Sequence, residues 1–303
     1  MTAHPPALIL AAGLGTRLRP LTARRAKPAV PVAGEPLVVR ILRWLRSEGV
    51  TDAVVNLHHL PQTIAAVLGD GSGLRVRVRY SWEGAEMLGS AGGPRQALDI
   101  LGAAQFFIVN GDTLTDLALA PLRAAHAHSG ALVTLAVVPN LAPTRYGGLR
   151  VADDGAVTGV IPAGDPEPSW HFIGVQLAQA AAFQDVPAGT AAASIGGLYT
   201  ALSASRPGCI RAHRTEARVW DIGTVDDYLA TCAALASPSD VRDEATRYTE
   251  VWPGGTVDAT ASLDRCVVAD GVHVPAGTHD HDAFLMPRAD GGIDRLPLPT
   301  AHR

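Results

Sequence analysis

The apolar run Ala7–Ala12 (ALILAA) has the length of a buried strand and empties directly into Gly13-Leu-Gly15, after which prolines at 20, 28, 31 and 36 bar a regular helix until residue 37. A glycine turn at a strand end lets backbone N–H groups approach phosphate oxygens without obstruction from a Cβ. The prolines then decide which phosphate fold this is not. A dinucleotide site requires a third glycine and a helix that begins at once, with an acidic residue ending the second strand. Here Leu18 stands at the third glycine position, and the second strand ends near Asn56. A P-loop requires Gly-Lys-Ser/Thr entering a helix, and the chain has none. What remains is a long, extended, glycine-led loop.

That loop carries Arg17, Arg19, Arg24, Arg25 and Lys27 in a chain of formal net charge -4. Five cations on one loop of a net acidic protein read as a local polyanion site, with a solvated basic loop as the plainer alternative. Lys27 is the only lysine in the chain, so 24 of the 25 basic Lys and Arg residues are arginine. An ammonium is a compact point charge and a guanidinium a planar fork. A single lysine in an arginine-rich chain therefore suggests a position that needs the smaller cation.

Beyond the loop, strands and helices alternate. Helices are predicted at Leu37–Glu48, Gln62–Leu68, Pro94–Leu101 and Leu119–Ser129, and strands at Ala53–Leu57, Leu74–Tyr80, Gln105–Asn110 and Leu132–Pro139. This order implies a mostly parallel sheet covered on both faces. Gly148–Ala152 and Val157–Ile161 then read as a hairpin, followed by a strand at His171–Leu177, helices at Gln179–Phe183 and Ile195–Ala204, a strand at Cys209–His213, a second ending at Trp220, and a helix at Val225–Ala236. After Pro238 the pairs Val257/Leu263 and Val268/Val274, each six apart, read as coils of a short hexapeptide β-helix or as an irregular tail, with equal support. The expected organisation is residues 1–237 as the main domain, 238–289 as a small C-terminal segment and 290–303 as a disordered tail.

Two strand ends carry carboxylates. Phe106–Asn110 runs into Gly111-Asp112, at the sheet edge where open α/β folds bind ligands. Asp112 is either a turn residue or a ligand for Mg2+. Trp220-Asp221-Ile222-Gly223-Thr224 repeats the arrangement, and Thr224 is the better N-cap for the helix that follows, which leaves Asp221 for other work. Mg2+ usually needs one or two carboxylates plus substrate phosphates. The run His279-Asp280-His281-Asp282 looks metal-like, but its Gly/Pro/Asp-rich surroundings make it a poor ligand set.

Other classes are excluded or disfavoured. A pI near 6.2 offers no general attraction to nucleic acid or to an anionic membrane. Cys209, Cys232 and Cys266 have neither disulfide-framework nor zinc spacing. No window approaches the roughly twenty apolar residues of a membrane span, and residues 1–6 lack a basic leader, so a soluble, cytoplasmic protein is expected.

Taken in order, LILAAGLGTRLRPLT with Lys27-Pro28, then LGSAGG, VNGD and WDIGT, resemble the sugar-1-phosphate nucleotidylyltransferases, the NDP-sugar pyrophosphorylases, from about Ala7 to Ala236. The motifs are similar to those of mannose-1-phosphate guanylyltransferase-like and N-acetylmuramate-1-phosphate uridylyltransferase-like members. The resemblance implies a GT-A-like, Rossmann-related mixed sheet flanked by helices, and the reaction of an NTP (GTP or UTP) with a sugar 1-phosphate. It implies that Ala11, Ala12, Gly13, Gly15, Thr16 and Arg17 bind the nucleotide, together with Glu86, Gly89, Ser90, Gly92 and Gly111. It further implies that Arg17, Lys27 and Asp112 are catalytic, and that Asp112 and Asp221 hold Mg2+. Tyr146, Gly147, Gly148 and Gly174 fall where the family contacts the sugar. Many members carry Glu-Lys-Pro after the hairpin, whereas here Val160-Ile-Pro-Ala-Gly-Asp165-Pro-Glu167-Pro lacks the lysine and Glu167 stands for the glutamate. The Leu-Gly-Ser-Ala-Gly segment resembles the guanylyltransferases for mannose 1-phosphate more, and uridylyl transfer to glucose 1-phosphate or an amino-sugar phosphate is the nearest alternative. A non-catalytic subunit that binds nucleotide-sugar is an alternative of another class. The base, the sugar and the oligomeric state, whether monomer or homo-oligomer, are not legible.

Overall fold

The computed structural model describes residues 4–236 and 248–299. The chain divides into two compact units: one holds residues up to Gly13, Ile41–Pro61 and Leu68–Val219, the other Leu14–Arg40, Gln62–Val67 and everything from Trp220 onward. The cut expected near residue 237 lies outside the described residues.

The first unit is built on a nine-stranded mixed sheet. Its strands are β1 (Ala7–Leu10), β2 (Asp52–Leu57), β3 (Arg77–Trp82), β4 (Gln105–Asn110), β5 (Val133–Pro139), β6 (Gly148–Val151), β7 (Val157–Ile161), β8 (Trp170–Gln179) and β9 (Ile210–Arg214). The main path runs β7-β6-β8-β4-β1-β2-β3, with β5 pairing β8 and β9. Strands β4, β1, β2 and β3 are mutually parallel, while β8 runs antiparallel to β4. The central strands are continuous apolar runs because a parallel sheet is covered on both faces; Leu8, Ile9, Val54, Val55, Phe107 and Ile108 are fully buried. Phe106, Phe183 and Tyr199 stack in sequence within this core, their ring centroids 5.9 and 6.3 Å apart.

Helix α1 (Leu37–Ser47) begins where the prolines end. Leu37, Val38, Ile41, Leu42 and Leu45 bury one stripe, and Gly49 follows at φ 89°. Helices α2 (Pro61–Leu68) and α4 (Leu119–Ser129) lie within a residue of their expected spans. Helix α3 (Gly89–Leu101) starts five residues before Pro94, because the Ala192 carbonyl accepts from the N–H groups of Ala91 and Gly92. That cap comes from a segment a hundred residues away, and no local signal announces it. Residues Ala180–Ala182 form only a 3-10 turn, and the helix expected from Ile195 is irregular until α5 (Tyr199–Ser205).

In the second unit, α6 (Val225–Leu235) opens with a capping box between Thr224 and Asp227. Beyond residue 248 short parallel strands stack with residue i facing i+17: Glu250 with Val267, Thr256 with His273, Ser262 with His279, and Val267 with Phe284. This is a short β-helix, with Val257, Leu263, Val268 and Val274 at the expected pleat positions. The tail expected to be disordered from residue 290 is instead a strand, Ile293–Pro297, antiparallel to Ala283–Pro287. It covers the last coil and buries Leu298, while residues 300–303 lie outside the described part.

The coil is bonded into its own unit. Trp252, fully buried, donates its indole N–H to Tyr228 Oη at 2.9 Å, and Tyr228 donates to the Pro31 carbonyl at 2.7 Å. The Gly34 N–H donates to Glu250 at 2.8 Å, and Arg265 pairs with Asp226 of α6 at 2.7 Å. A Trp252→Ala substitution empties the junction of coil, helix and loop. It should lower the unfolding free energy by about 3–5 kcal/mol, measured as a shift of the urea midpoint.

Candidate nucleotide and phosphate site

In the first unit, the candidate site is a row of strand ends. Leu10 stands in register with Asn110 of β4 on one side and Asn56 of β2 on the other. Gly111 donates its N–H to the Leu10 carbonyl at 2.9 Å, which brings Gly111-Asp112 beside Ala11–Gly13. Across β4, Val175 of β8 faces Val109, so Gly174 lies opposite Asn110. Gly174 has φ 78°, and a Cβ there would sit 3.0 Å from the Asn110 side chain, so only glycine fits. Ala11 and Ala12 are buried, while Gly13 is exposed.

The expected base-loop residues occupy the first turn of α3. Their identities are already explained by packing: a Cβ at Gly89 would meet the Ala192 carbonyl oxygen at 2.8 Å, and one at Gly92 the Thr190 carbonyl oxygen at 2.4 Å. Ser90 Oγ accepts from the Ser194 N–H at 2.9 Å. Glu86 is exposed. The carboxylate that is built into this region is Glu83, at the end of β3, which accepts from Asn56 Nδ2 at 2.6 Å and from the Leu88 N–H at 2.7 Å. Asn56 also accepts from the Ala11 N–H at 2.6 Å. No motif marks either residue, although the polar side chain of Asn56 inside the apolar run AVVNL is a usable sign.

Around the expected sugar region, Tyr146 packs its ring against His171 at 4.6 Å between centroids, with the Arg145 guanidinium 4.8 Å from the Tyr146 ring. Gly147 and Gly148 lie against Ile161 O and Ser169, with no room for a Cβ at Gly148. Glu167 forms a two-pronged pair with Arg150, at 2.8 and 2.6 Å. That hydrogen bonding holds the Glu167 carboxyl below the usual range and raises the arginine. A sugar hydroxyl would compete with Arg150 for it.

In the second unit, the phosphate loop folds as three 3-10 turns, Thr16–Leu18, Leu21–Ala23 and Lys27–Ala29. Leu18 and Leu21 anchor it in the core, and Thr22 Oγ1 donates to the Gly15 carbonyl at 2.8 Å. A Cβ at Gly15, where φ is 61°, would approach Lys27 Cβ to 3.1 Å, so the glycine turn and the lone lysine are packed together. Lys27 is only 8% exposed, whereas Thr16, Arg17, Arg19 and Arg24 are open to solvent. Arg25 has partners within its own unit: it pairs with Asp270 at 2.6 Å and lies 5.3 Å from the Trp252 ring centroid.

Asp221 and Arg17 are brought together in this unit. A Cβ at Gly223 would lie 3.3 Å from Asp221 Oδ2 and 3.4 Å from Arg17 Nη1, a small cradle lined by an acid and a base. Asp227, also 3.3 Å away, is engaged by the backbone N–H and hydroxyl of Thr224. Asp112 belongs to the other unit, beside Ala11–Gly13. Among the described residues no group of three or more His, Cys, Asp or Glu gathers as a metal site. His281 pairs with Asp264 and Asp282, and Asp280 with Arg295, so the His279–Asp282 run is an ion-pair surface. No described helix is long and apolar enough to cross a membrane.

Comparison with known proteins agrees with this architecture. The chain is similar to N-acetylmuramate alpha-1-phosphate uridylyltransferase of Neisseria meningitidis, 49% identical over 111 residues, covering 37% of this chain and 48% of that protein. It is 34% identical to UTP--glucose-1-phosphate uridylyltransferase of Synechocystis over 50% of this chain and 42% of that one. The chain therefore spans about half the length of these two relatives. Mannose-1-phosphate guanylyltransferase of Mycobacterium tuberculosis matches at 28% identity over 89% of this chain and 81% of that one. Among solved structures, HddC from Yersinia pseudotuberculosis superposes with a TM-score of 0.65 at 25% identity, covering 76% of this chain and 99% of that one. The family model described as Nucleotidyl transferase matches residues 6–237, and the chain belongs to that family.

Proposed function

We propose that this protein joins an NTP to a sugar 1-phosphate, giving an NDP-sugar and pyrophosphate. The observation that carries the reading is the side-by-side placement of Ala11–Gly13 and Gly111-Asp112 at the C-terminal edge of β1 and β4, within a chain of the nucleotidyl transferase family. Guanylyl transfer to mannose 1-phosphate is the preferred specificity, supported by the relative that matches along most of both chains. Uridylyl transfer to an amino-sugar phosphate is the second reading, supported by the higher identity over a shorter stretch.

The chemistry asks for positioning and charge neutralisation more than for covalent catalysis. A sugar-phosphate oxygen attacks the α-phosphorus of the NTP, the bond from α-phosphorus to the bridging oxygen breaks, and pyrophosphate leaves with that electron pair. A phosphate monoester is already anionic near neutral pH, so no general base is needed. The difficulty is bringing two anions together. Backbone N–H groups of Gly13, Gly15 and Thr16 hold the triphosphate, with Ala11, Ala12 and Gly111 framing it. Arg17 balances the charge that grows on the leaving pyrophosphate. Lys27, a compact ammonium on a buried stem, contacts the reacting phosphates. Gly89, Ser90, Gly92 and Glu86 border the base, and Tyr146, Gly147, Gly148, Gly174 and Glu167 the sugar. Asp112 and Asp221 are hard oxygen donors suited to Mg2+, and Asp221 Oδ2 lies 3.3 Å from the point a Cβ at Gly223 would occupy, a position glycine leaves unfilled. When bound, Mg2+ would neutralise phosphate charge and fix the geometry of the chain of phosphates.

Incubation with each NTP against a panel of sugar 1-phosphates, scored by pyrophosphate release, should give Mg2+-dependent turnover that EDTA abolishes. Nucleotide binding without release would instead identify a regulatory subunit. Lys27→Ala should lower kcat by on the order of 100-fold, the scale of one lost charge-stabilising contact; near-normal turnover would remove Lys27 from the mechanism. Asp112→Asn should raise the Mg2+ concentration for half-maximal rate by about tenfold, read from a Mg2+ titration at fixed NTP.

A further inference from the structure

Two buried polar residues, Asn56 at 2% exposure and Glu83 at 7%, join two separate pieces of backbone in the first unit. Asn56 Oδ1 accepts from the Ala11 N–H at 2.6 Å, at the entry of the glycine-led loop. Asn56 Nδ2 donates to Glu83 Oε1 at 2.6 Å, and Glu83 Oε2 accepts from the Leu88 N–H at 2.7 Å, at the head of α3. Each of the three donors faces one acceptor. Gly93 is part of the arrangement: a Cβ there would lie 2.8 Å from Asn56 Nδ2 and 2.9 Å from Glu83 Oε1.

We infer that Asn56 and Glu83 are a positioning pair that sets the spacing between the segment holding the nucleotide's phosphates and the segment beside its base. The inference rests on the proposed nucleotidyl transfer. A buried carboxylate is costly unless hydrogen bonds satisfy it, and hydrogen bonds to a charged group are strong and directional. An apolar pair of the same volume would fill the space between β2 and β3 equally well, but it would not tie Ala11 to Leu88. The pair touches no substrate. It acts by fixing two backbone N–H groups whose neighbours do.

The donor and acceptor pattern supplies its own test. Glu83→Gln sets an amide N–H against one of two donors, and Asn56→Asp sets one carboxylate against another. Combined, the two substitutions reverse the central bond and leave nothing unpaired: Asp at 56 accepts from Ala11 and from the Gln amide, whose oxygen accepts from Leu88. The expected outcome is a KM for NTP raised about tenfold in each single variant, from the loss of one charge-assisted bond, with the KM for sugar 1-phosphate unchanged. The double variant should return to within about threefold of the wild-type KM for NTP. Single variants that melt earlier yet keep the wild-type KM for NTP would overturn the inference in favour of a purely structural pair. Should the singles fail to fold, the double variant decides: wild-type-like KM for NTP supports the pair, and a double variant that does not fold or binds NTP poorly overturns it. A wild-type chain that binds no NTP overturns this inference together with the proposed function, whereas an active wild type with unaffected variants overturns the inference alone.

Discussion

The register of β1 governs what the first unit can do. Leu10 is held between Asn56 and Asn110 by parallel pairing on both sides. Parallel register leaves all these strands ending at one edge, so the residues that follow each strand are delivered to one line. Ala11–Gly13, Gly111-Asp112 and Glu83 are there because their strands stop there. The antiparallel β8 adds Gly174 to the line from the opposite direction. A one-residue slip of β1 would turn its apolar side chains to the wrong faces and move the glycine loop off the line. The buried apolar runs on both sides of β1 make such a slip expensive.

Much of this was legible in the chain. Strand β4 and helix α4 lie where the sequence places them, because β4 is a continuous apolar run and α4 ends on Gly130 in the left-handed conformation. The hairpin of β6 and β7 followed from its Asp-Asp-Gly turn. Other features depended on partners distant in sequence. The start of α3 is set by the Ala192 carbonyl, and the final strand exists because the last coil of the β-helix offers it an edge to pair with. Two apolar pairs could not decide between a coil and an irregular tail; the constant 17-residue register does.

Within the candidate site the same division holds. The glycine loop, the lone lysine and the two strand-end aspartates could be picked out from residue type and spacing. Which of the loop's five cations serve the loop itself could not. Arg25 looks like its neighbours in sequence, and only Trp252 and Asp270, more than two hundred residues on, show its structural contacts. Glycines near the head of α3 illustrate the reverse case. They match a binding motif, yet chain packing alone already forbids a side chain at Gly89 and Gly92.

The way the β-helix is fastened bears on how such a chain can be recombined. Its coils meet residues 25–34 through Glu250, which accepts from the Gly34 N–H, and Asp270, which pairs with Arg25, and they meet α6 through Trp252 on Tyr228 and Arg265 on Asp226. The coil is therefore not a cassette appended to a finished domain. Evolution, or a designer building chimeras, would have to exchange it together with residues 25–35 and α6, since a foreign coil lacking matching partners would leave the segment that carries the lone lysine without its floor.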